Sequence, residues 1–370
     1  MISVFGCKTG QEEIDLVTQV IKSQWLGLGK QVEEFENKFA QYRQIDNFVM
    51  VDSGSNALYM AIKLLDLAPG AEVVMPSLTW VSCAQAVLLS GNVPVFADVE
   101  IDTNNINAEL IKPHITPKTG AVMVVHFAGK PVDMDPVLDL GYPVIEDAAH
   151  AVSSTYKGKA CGTMGDVGVF SFDAVKNLTA GEGGGVAMRD SGMLTYAKQL
   201  RYCGIGKSGF EAASDGAQGK KRWWEYNIHE PFIKMLPNNI TAAIALAQLG
   251  KIDILQGVRE KFFARYQKEL QGVGDLALPP NPETWETHSY FTYVIRTSRR
   301  DELAHYLLDR GIYTTLRYHP LHMNKIYNSQ VVLPNCELLN ETALSLPLHP
   351  NLSDADMDMI ISSIKEFYHE

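Results

Sequence analysis

The sequence predicts an α/β protein, with a large, mostly parallel α/β/α domain over residues 1–250 and a smaller α+β domain over 251–370. Three observations carry this. Short Val- and Ile-rich runs alternate with stretches of helical periodicity, the pattern of parallel strands joined by crossovers. After Ala242 the texture changes to long helical stretches and then a strand-like run. A chain of 370 residues also exceeds one small core and suits a large domain with a smaller one attached.

Taken in order, "QEEIDLVTQVIKSQ" puts Ile14, Val17, Val20 and Ile21 on one helical face. "NFVMVDS" is a short strand ending in a polar turn, and "NALYMAIKLL" is a helix. "EVVMP" reads as a buried strand, "WVSCAQAVLLS" as a helix and "VPVFADV" as a strand. "GAVMVVHF", "YPVIEDAA", "VGVFSF" and "GGVAMRD" are further strands. "TAAIALAQLGKIDILQGVREKFFARYQKELQ" gives one or two long helices. "THSYFTYVIRT" is then a strand, "RDELAHYLLDRG" a helix and "DADMDMIISSIKEFYH" the closing helix. There are no repeats and no low-complexity tract.

Composition narrows the function classes. An apolar content of 46% is that of a soluble globular protein. A net charge of −11 argues against a nucleic-acid partner, which needs a basic face. The compact basic run Lys220-Lys221-Arg222 reads as a solvated loop. Five scattered cysteines without a C-x-x-C pair predict neither a disulfide framework nor a zinc site. No metal site is expected. The start carries no signal-peptide pattern, and no apolar run approaches a membrane span. A reduced, cytoplasmic setting is expected.

In parallel sheets, ligands sit at the carboxyl ends of the strands, and four clusters fall there. Ser53-Gly54-Ser55-Asn56 opens a helix, whose free N–H groups and positive dipole end suit a phosphate; an ordinary N-cap has the same composition. Trp80 follows the "EVVM" strand and offers a flat ring for stacking, or simply core packing. Glu146, Asp147 and His150 follow "YPVI". A carboxylate there needs a partner, and Asp147 suits a cation such as a protonated ring nitrogen, or a structural ion pair. Lys176 stands five residues after Ser171, between an apolar run and a glycine cluster. A lysine in a tight apolar pocket has a lowered pKa and acts as an amine nucleophile, forming a Schiff base with a carbonyl. Together these are a phosphate cradle, a stacking ring, an acid for a ring nitrogen and an imine-forming lysine. That set describes the protein side of pyridoxal 5′-phosphate (PLP) binding.

The stretches "VDSGSNALYMAI", "MPSLTWVSCAQAVLLSGNVPVFADVEIDT", "VIEDAAHAVSSTYKGKACGTMGDVGVFSF", "KNLTAGEGG", "NNITAAIALAQL" and "LSLPLHPNLSD" resemble the DegT/DnrJ/EryC1/StrS family of nucleotide-sugar aminotransferases. The resemblance covers nearly the whole chain. Within the family it looks closest to enzymes that aminate C4 of a UDP- or dTDP-linked 4-keto sugar. It implies the PLP-dependent transferase fold of aspartate aminotransferase (fold type I), glutamate as amino donor, and a homodimer with shared active sites. By resemblance Lys176 is the Schiff-base lysine and proton carrier, and Asp147 pairs with the pyridine nitrogen. Trp80 stacks on the ring, His150 lies near the 3-hydroxyl, and Ser55, Asn56 (through its N–H) and Ser171 hold the phosphate. Many relatives supply an Asn from the neighbouring chain. Here "FIKMLPNN" puts Lys234 at that position. Family 3-dehydratases replace the lysine with histidine, so Lys176 points to transamination.

Other motifs carry less. "GIGKSG" at 204–209 fits G-x-G-x-x-G but neither follows a clear strand nor opens a helix. Arg201 stands where a P-loop needs its first glycine. His319 and His322 in "RYHPLH" have neither the helical setting nor the acidic partner of a metal site; they are loop residues or lining of a sugar site. Trp223 and Trp224 are a sugar-side lid or a packed loop. Two other readings remain open at this stage: an aminotransferase of a cyclitol or another cyclic ketone, and a non-catalytic PLP-binding protein.

Overall fold

The computed structural model describes residues 1–206 and 224–369. The basic run Lys220–Arg222, Trp223 and the second half of "GIGKSG" lie outside the described residues.

Two helices open the chain, α1 (Gln11–Lys22) and α2 (Lys30–Arg43). The face of α1 departs from the periodicity: Ile14 and Ile21 are 59% and 53% exposed, while Glu13 is buried. Tertiary partners explain this. The Glu13 carboxylate accepts the Gly10 N–H at 2.7 Å, pairs with Lys251 at 2.7 Å and accepts from Gln248. These bonds turn a polar edge of the helix inward.

Strands and helices then alternate as β1 (Phe48–Val51), α3 (Gly54–Leu64), β2 (Glu72–Pro76), α4 (Val81–Leu89), β3 (Val93–Ala97), the short α5 (Ala108–Ile111), β4 (Thr119–Val125), α6 (Met134–Leu138) and β5 (Val144–Asp147). A small ribbon, β6 (Thr155–Tyr156) and β7 (Lys159–Ala160), precedes β8 (Val167–Ser171) and β9 (Gly184–Met188). Helices α7 (Gly192–Arg201), α8 (Asn239–Gly250) and α9 (Ile252–Glu269) follow. The long helical run is thus two helices, parted at Lys251, whose backbone (φ −124°, ψ 14°) leaves the helical region.

Seven strands form one sheet in the order β1-β9-β8-β5-β4-β2-β3. Strands β8, β5, β4, β2 and β3 pair in parallel, while β9 is antiparallel to both neighbours. The expected crossover pattern therefore stops at β8, which passes to β9 through residues 172–183 without a helix. β9 fits between its neighbours because Gly184 lacks a side chain: a Cβ there would lie 2.3 Å from the Ser53 carbonyl oxygen. Successive strand residues feed opposite faces. Val73, Met75, Met123 and Val125 join one apolar cluster; Val74, Val122 and Val124 join the other with Phe35, Phe39, Phe170 and Phe172. The result is the three-layer α/β/α arrangement.

The remaining elements are β10 (Glu286–Thr287), β11 (Tyr293–Arg296), α10 (Arg300–Asp309), α11 (Pro334–Thr342), β12 (Ala343–Leu346) and α12 (Asp354–His369). "THSYFTYVIRT" is two strands rather than one. β10 pairs with β6, β11 pairs with β12, and Tyr290 between them sits in the left-handed region at φ 48°. A third apolar cluster joins Phe262, Phe263 and Tyr266 of α9 to β11, β12, α10 and α12. Among the described residues, no helix is long and apolar enough to cross a membrane.

Candidate active site

The turns at the carboxyl ends of β1, β2, β5 and β8 converge on one cavity of about 330 Å³. Six of the eight residues picked from sequence line it: Ser55, Trp80, Asp147, His150, Ser171 and Lys176. Asn56 and Lys234 do not. The Asn56 N–H donates to the capping Ser53 hydroxyl at 3.2 Å, and its amide donates to Asp52 at 2.7 Å. Asn56 faces a second cavity of about 200 Å³, which shares Ser55 and Ser82 with the first. Lys234 is exposed, and its backbone bridges to Tyr202.

At one end of the cavity α3 begins. Ser53 caps one first-turn N–H, and the remaining N–H groups of that turn have no intrahelical acceptor. Ser55 Oγ lies 2.7 Å from Ser82 Oγ. Gly54 packs against Ser171: a Cβ on Gly54 would lie 2.8 Å from Ser171 Cβ. The absent side chain lets the helix start and the end of β8 meet.

β5 carries two adjacent carboxylates with different tasks, because neighbouring side chains leave a strand on opposite faces. Buried Glu146 accepts from the N–H groups of Gly162, Met164 and Gly165 and lies 2.9 Å from His126 Nε2. The Val132 N–H donates to His126 Nδ1 at 3.0 Å, which leaves the proton on Nε2, facing Glu146. This group ties down the 162–165 turn. Asp147 faces the cavity. Its Oδ2 accepts from the Cys83 thiol at 3.2 Å and its Oδ1 from the Ala149 N–H at 2.9 Å.

His150 is buried, stacks on Phe291 with centroids 4.1 Å apart, and shares a 2.9 Å hydrogen bond between Nε2 and Tyr318 Oη. Its Nδ1 is buried with no partner. Burial, then the charges of Lys176 and Arg317, hold its pKa well below the usual range, so the ring is neutral. Trp80 is 54% exposed at the rim, its ring 5.9 Å from that of Tyr318.

The Lys176 amine lies 4.8 Å from the Phe291 ring centroid. Burial first, and the Arg317 charge second, push its pKa down from 10.5 to about 7. An amine poised there exists in both forms near neutrality, which suits nucleophilic attack and proton transfer.

Sequence reasoning passed over Cys83, Phe291, Arg317 and Tyr318. In "RYHPLH" the two histidines drew notice, yet Arg317 and Tyr318 reach the cavity. His319 bonds to Asn340, and buried His322 holds Ser77 Oγ at 2.7 Å. His322 does have an acidic neighbour, Glu337, at 3.4 Å. Neither histidine lines the cavity; Arg317 and Tyr318 of the same segment do.

Comparison with known proteins decides the lineage. The family model "DegT/DnrJ/EryC1/StrS aminotransferase family" matches residues 8–365. The chain belongs to this family. It is 36% identical over 375 residues to dTDP-4-dehydro-2,3,6-trideoxy-D-glucose 4-aminotransferase of Saccharopolyspora spinosa, covering 99% of this chain and 96% of the relative. It is 35% identical over 373 residues to spore coat polysaccharide biosynthesis protein SpsC of Bacillus subtilis (strain 168), covering 96% and 94%. Spr1654 of Streptococcus pneumoniae, in its PMP form, superposes with a TM-score of 0.93 at 26% identity, covering 100% of this chain and 99% of that one. A PLP form of the same protein superposes with a TM-score of 0.90. The fold is that of the PLP-dependent sugar aminotransferases, and the chain is an aminotransferase.

The residues present fit PLP. Its phosphate matches the uncapped N–H groups of α3 beside Ser55 and Ser171. Its ring nitrogen matches Asp147, and its aldehyde matches an amine held near pKa 7. The unpartnered Nδ1 of His150 is a further buried polar atom at the cavity.

Proposed function

We propose that this aminotransferase moves an amino group from glutamate to a nucleotide-linked 4-keto sugar, with PLP as the carrier, to make an amino sugar for a surface polysaccharide or glycoconjugate. The observation that carries this reading is Lys176, an amine of lowered pKa in the same cavity as Asp147 and the start of α3. The substrate class follows the family relatives, one named for a dTDP-linked dehydro sugar and one for polysaccharide biosynthesis. Nothing in the cavity favours a cyclitol substrate or a purely structural use of PLP.

Lys176 would hold the cofactor, and Ser55, Ser171 and the α3 N-terminus its phosphate. Trp80 would cover the ring. When bound, PLP supplies an electron sink for the electrons released as the donor Cα–H bond breaks. Asp147, oriented by hydrogen bonds from the Cys83 thiol and the Ala149 N–H, would pair with the ring nitrogen. The freed Lys176 amine takes the proton from the donor carbon and returns it on the other side of the transfer; the keto sugar then meets the same groups in reverse. Neutral His150, fixed by Tyr318, offers Nδ1 to a ring substituent without adding charge.

We take the third apolar cluster to mark a separate small domain, divided from the first near residue 250. We also propose a homodimer in which Lys234 serves the neighbouring copy's phosphate site. Its exposure, and the exposed Ile14, Ile21, Trp25 and Leu26, support a covered face. We further propose that the reaction takes place in the cytoplasm; the five unpaired cysteines support a reducing setting.

The test is an absorbance spectrum of the purified protein with PLP, before and after glutamate. A lysine-bound band that glutamate converts to the PMP spectrum, and that a dTDP- or UDP-4-keto sugar restores, is the expected result. Absence of any lysine-bound band overturns the reading.

A further inference from the structure

Asn177, next to Lys176 in the chain, is spent on contacts away from the cavity. The turn that carries the lysine is closed at its base by two backbone bonds. The Phe172 N–H donates to the Gly183 carbonyl at 2.8 Å, and the Ala180 N–H donates to the Phe172 carbonyl at 2.7 Å. Among the described residues, Asn177 alone sends side-chain hydrogen bonds out of the turn formed by 173–179. Its amide nitrogen donates to Gln256 Oε1 at 2.6 Å and to the Ser289 carbonyl. Gln256, on α9, donates to that same carbonyl at 2.7 Å. Both amide nitrogens face one carbonyl oxygen, which fixes the orientation of each side chain. Asn177 is buried, and its Oδ1 has no partner. An unpaired buried acceptor is unfavourable, so Ser289 and Gln256 dictate the orientation and not the needs of Asn177 itself.

Ser289 leads to the wall of the cavity. Two residues on, the Phe291 ring meets the Lys176 amine at 4.8 Å and stacks on His150 at 4.1 Å. The Ser289 N–H donates to the Gly129 carbonyl at 3.2 Å, and the Phe291 N–H to the Ala128 carbonyl at 2.9 Å. Tyr290 between them holds its left-handed backbone at φ 48°, a conformation that persists only where the flanks are fixed. Segment 289–291 is thus a strap. One edge is bonded to the turn after β4, and the other to the residue beside Lys176. The seat of the amine against Phe291 depends on both edges.

We propose that Asn177, latched to Ser289 and Gln256, is a positioning residue for Lys176. It holds the amine against Phe291 at the place from which it attacks and carries protons. None of Asn177, Gln256 and Ser289 lines the cavity, so the effect passes through the backbone of the lysine. This rests on the proposed function. A tie with no such role would change stability and leave the reactivity of the lysine alone.

The test compares Asn177→Ala, Gln256→Ala and the double variant with the native protein. In the apo proteins, brief acylation across a pH series is followed by mass spectrometry of the Lys176 peptide. The labelling midpoint should rise by about one pH unit in Asn177→Ala, as the amine leaves its dry seat. The groups acting on its charge, Arg317, Asp147, Asp173 and Cys83, all stay in place. With PLP added, the lysine-bound band should form in all four proteins, and its induced circular dichroism should weaken in Asn177→Ala. At saturating glutamate, conversion to PMP should slow roughly 10- to 100-fold in that variant, with the half-saturating concentration unchanged. Gln256→Ala should move each readout the same way by less. The double variant should match Asn177→Ala, because both side chains act through one carbonyl. If Asn177→Ala does not fold, Gln256→Ala decides. Variants with a lower melting temperature but the native labelling midpoint and native limiting rate overturn the proposal. A native protein without a lysine-bound band would sink the proposed function instead, while the labelling of the apo proteins would still decide the latch.

Discussion

The Cys83 sulfur stands 3.2 Å from Asp147 Oδ2 and 3.2 Å from Thr79 Oγ1. The thiol donates to the carboxylate, so the threonine hydroxyl must be the donor to sulfur. Burial and the Asp147 charge push the thiol pKa up, and the proton stays on sulfur. A relay of three short side chains thus supports the carboxylate assigned to the cofactor nitrogen. Removing the thiol leaves Asp147 Oδ2 without its buried donor and opens space beside the carboxylate. We expect Cys83→Ala to hold PLP about tenfold more weakly, while Cys83→Ser keeps a donor and near-native affinity. PLP titration followed by absorbance decides this; identical affinities for all three proteins would refute the relay.

Lys176 makes the apo protein's stability depend on pH. Its folded pKa of about 7 lies below the ordinary 10.5 of the unfolded chain. Between those values the unfolded state carries a proton that the folded state lacks, so stability rises with pH across that window, by up to about 1.4 kcal/mol per unit. Below pH 7 both states are protonated and the contribution is constant. Urea unfolding of apo Lys176→Met at pH 7, 8 and 9 should show a flatter dependence than the native apo protein. Parallel slopes would mean that the amine is well solvated. The same variant should lose amino transfer altogether.

Tyr318→Phe deletes the partner of a buried, neutral imidazole whose other nitrogen already lacks one. An unsatisfied buried polar group costs about 1–3 kcal/mol, and we expect a loss of that size in chemical denaturation. A variant as stable as the native protein would mean that water replaces the hydroxyl.

Gly54→Ala inserts a methyl where only 2.8 Å separates it from Ser171 Cβ. The start of α3 and the end of β8 must move apart, which spreads the phosphate-binding groups. PLP affinity should fall at least about tenfold, equivalent to 1.4 kcal/mol, with the far-ultraviolet circular dichroism unchanged. Native affinity would show that the phosphate sits elsewhere.

The site was legible in sequence where its chemistry sits beside a strand end. Lys176, Asp147, Ser55 and Trp80 each follow an apolar run, and the fold rule for parallel sheets picks them out. Arg317, Tyr318 and Phe291 reach the cavity from segments more distant in the chain that have no such periodicity, and Cys83 reads as one more small helical residue. Glu146 and Asp147 were not separable by composition; the strand's alternation assigns one to the 162–165 turn and the other to the cavity. The α1 stripe misled because a buried ion pair with Lys251 outweighs two isoleucines. The break between β10 and β11 rests on the backbone of Tyr290, which periodicity does not encode.

The antiparallel return of β9 also limits how the enzyme can adapt. Residues 172–183 are clamped at both ends by interior strands, Ser171 pairing with Gly184 at the clamp itself. Lys176 therefore works from a fixed pedestal, free to swing its side chain but not to travel. Accommodation of differently shaped donors and sugars has to come from the opposite wall, where Arg317 and Tyr318 are carried by the C-terminal half of the chain.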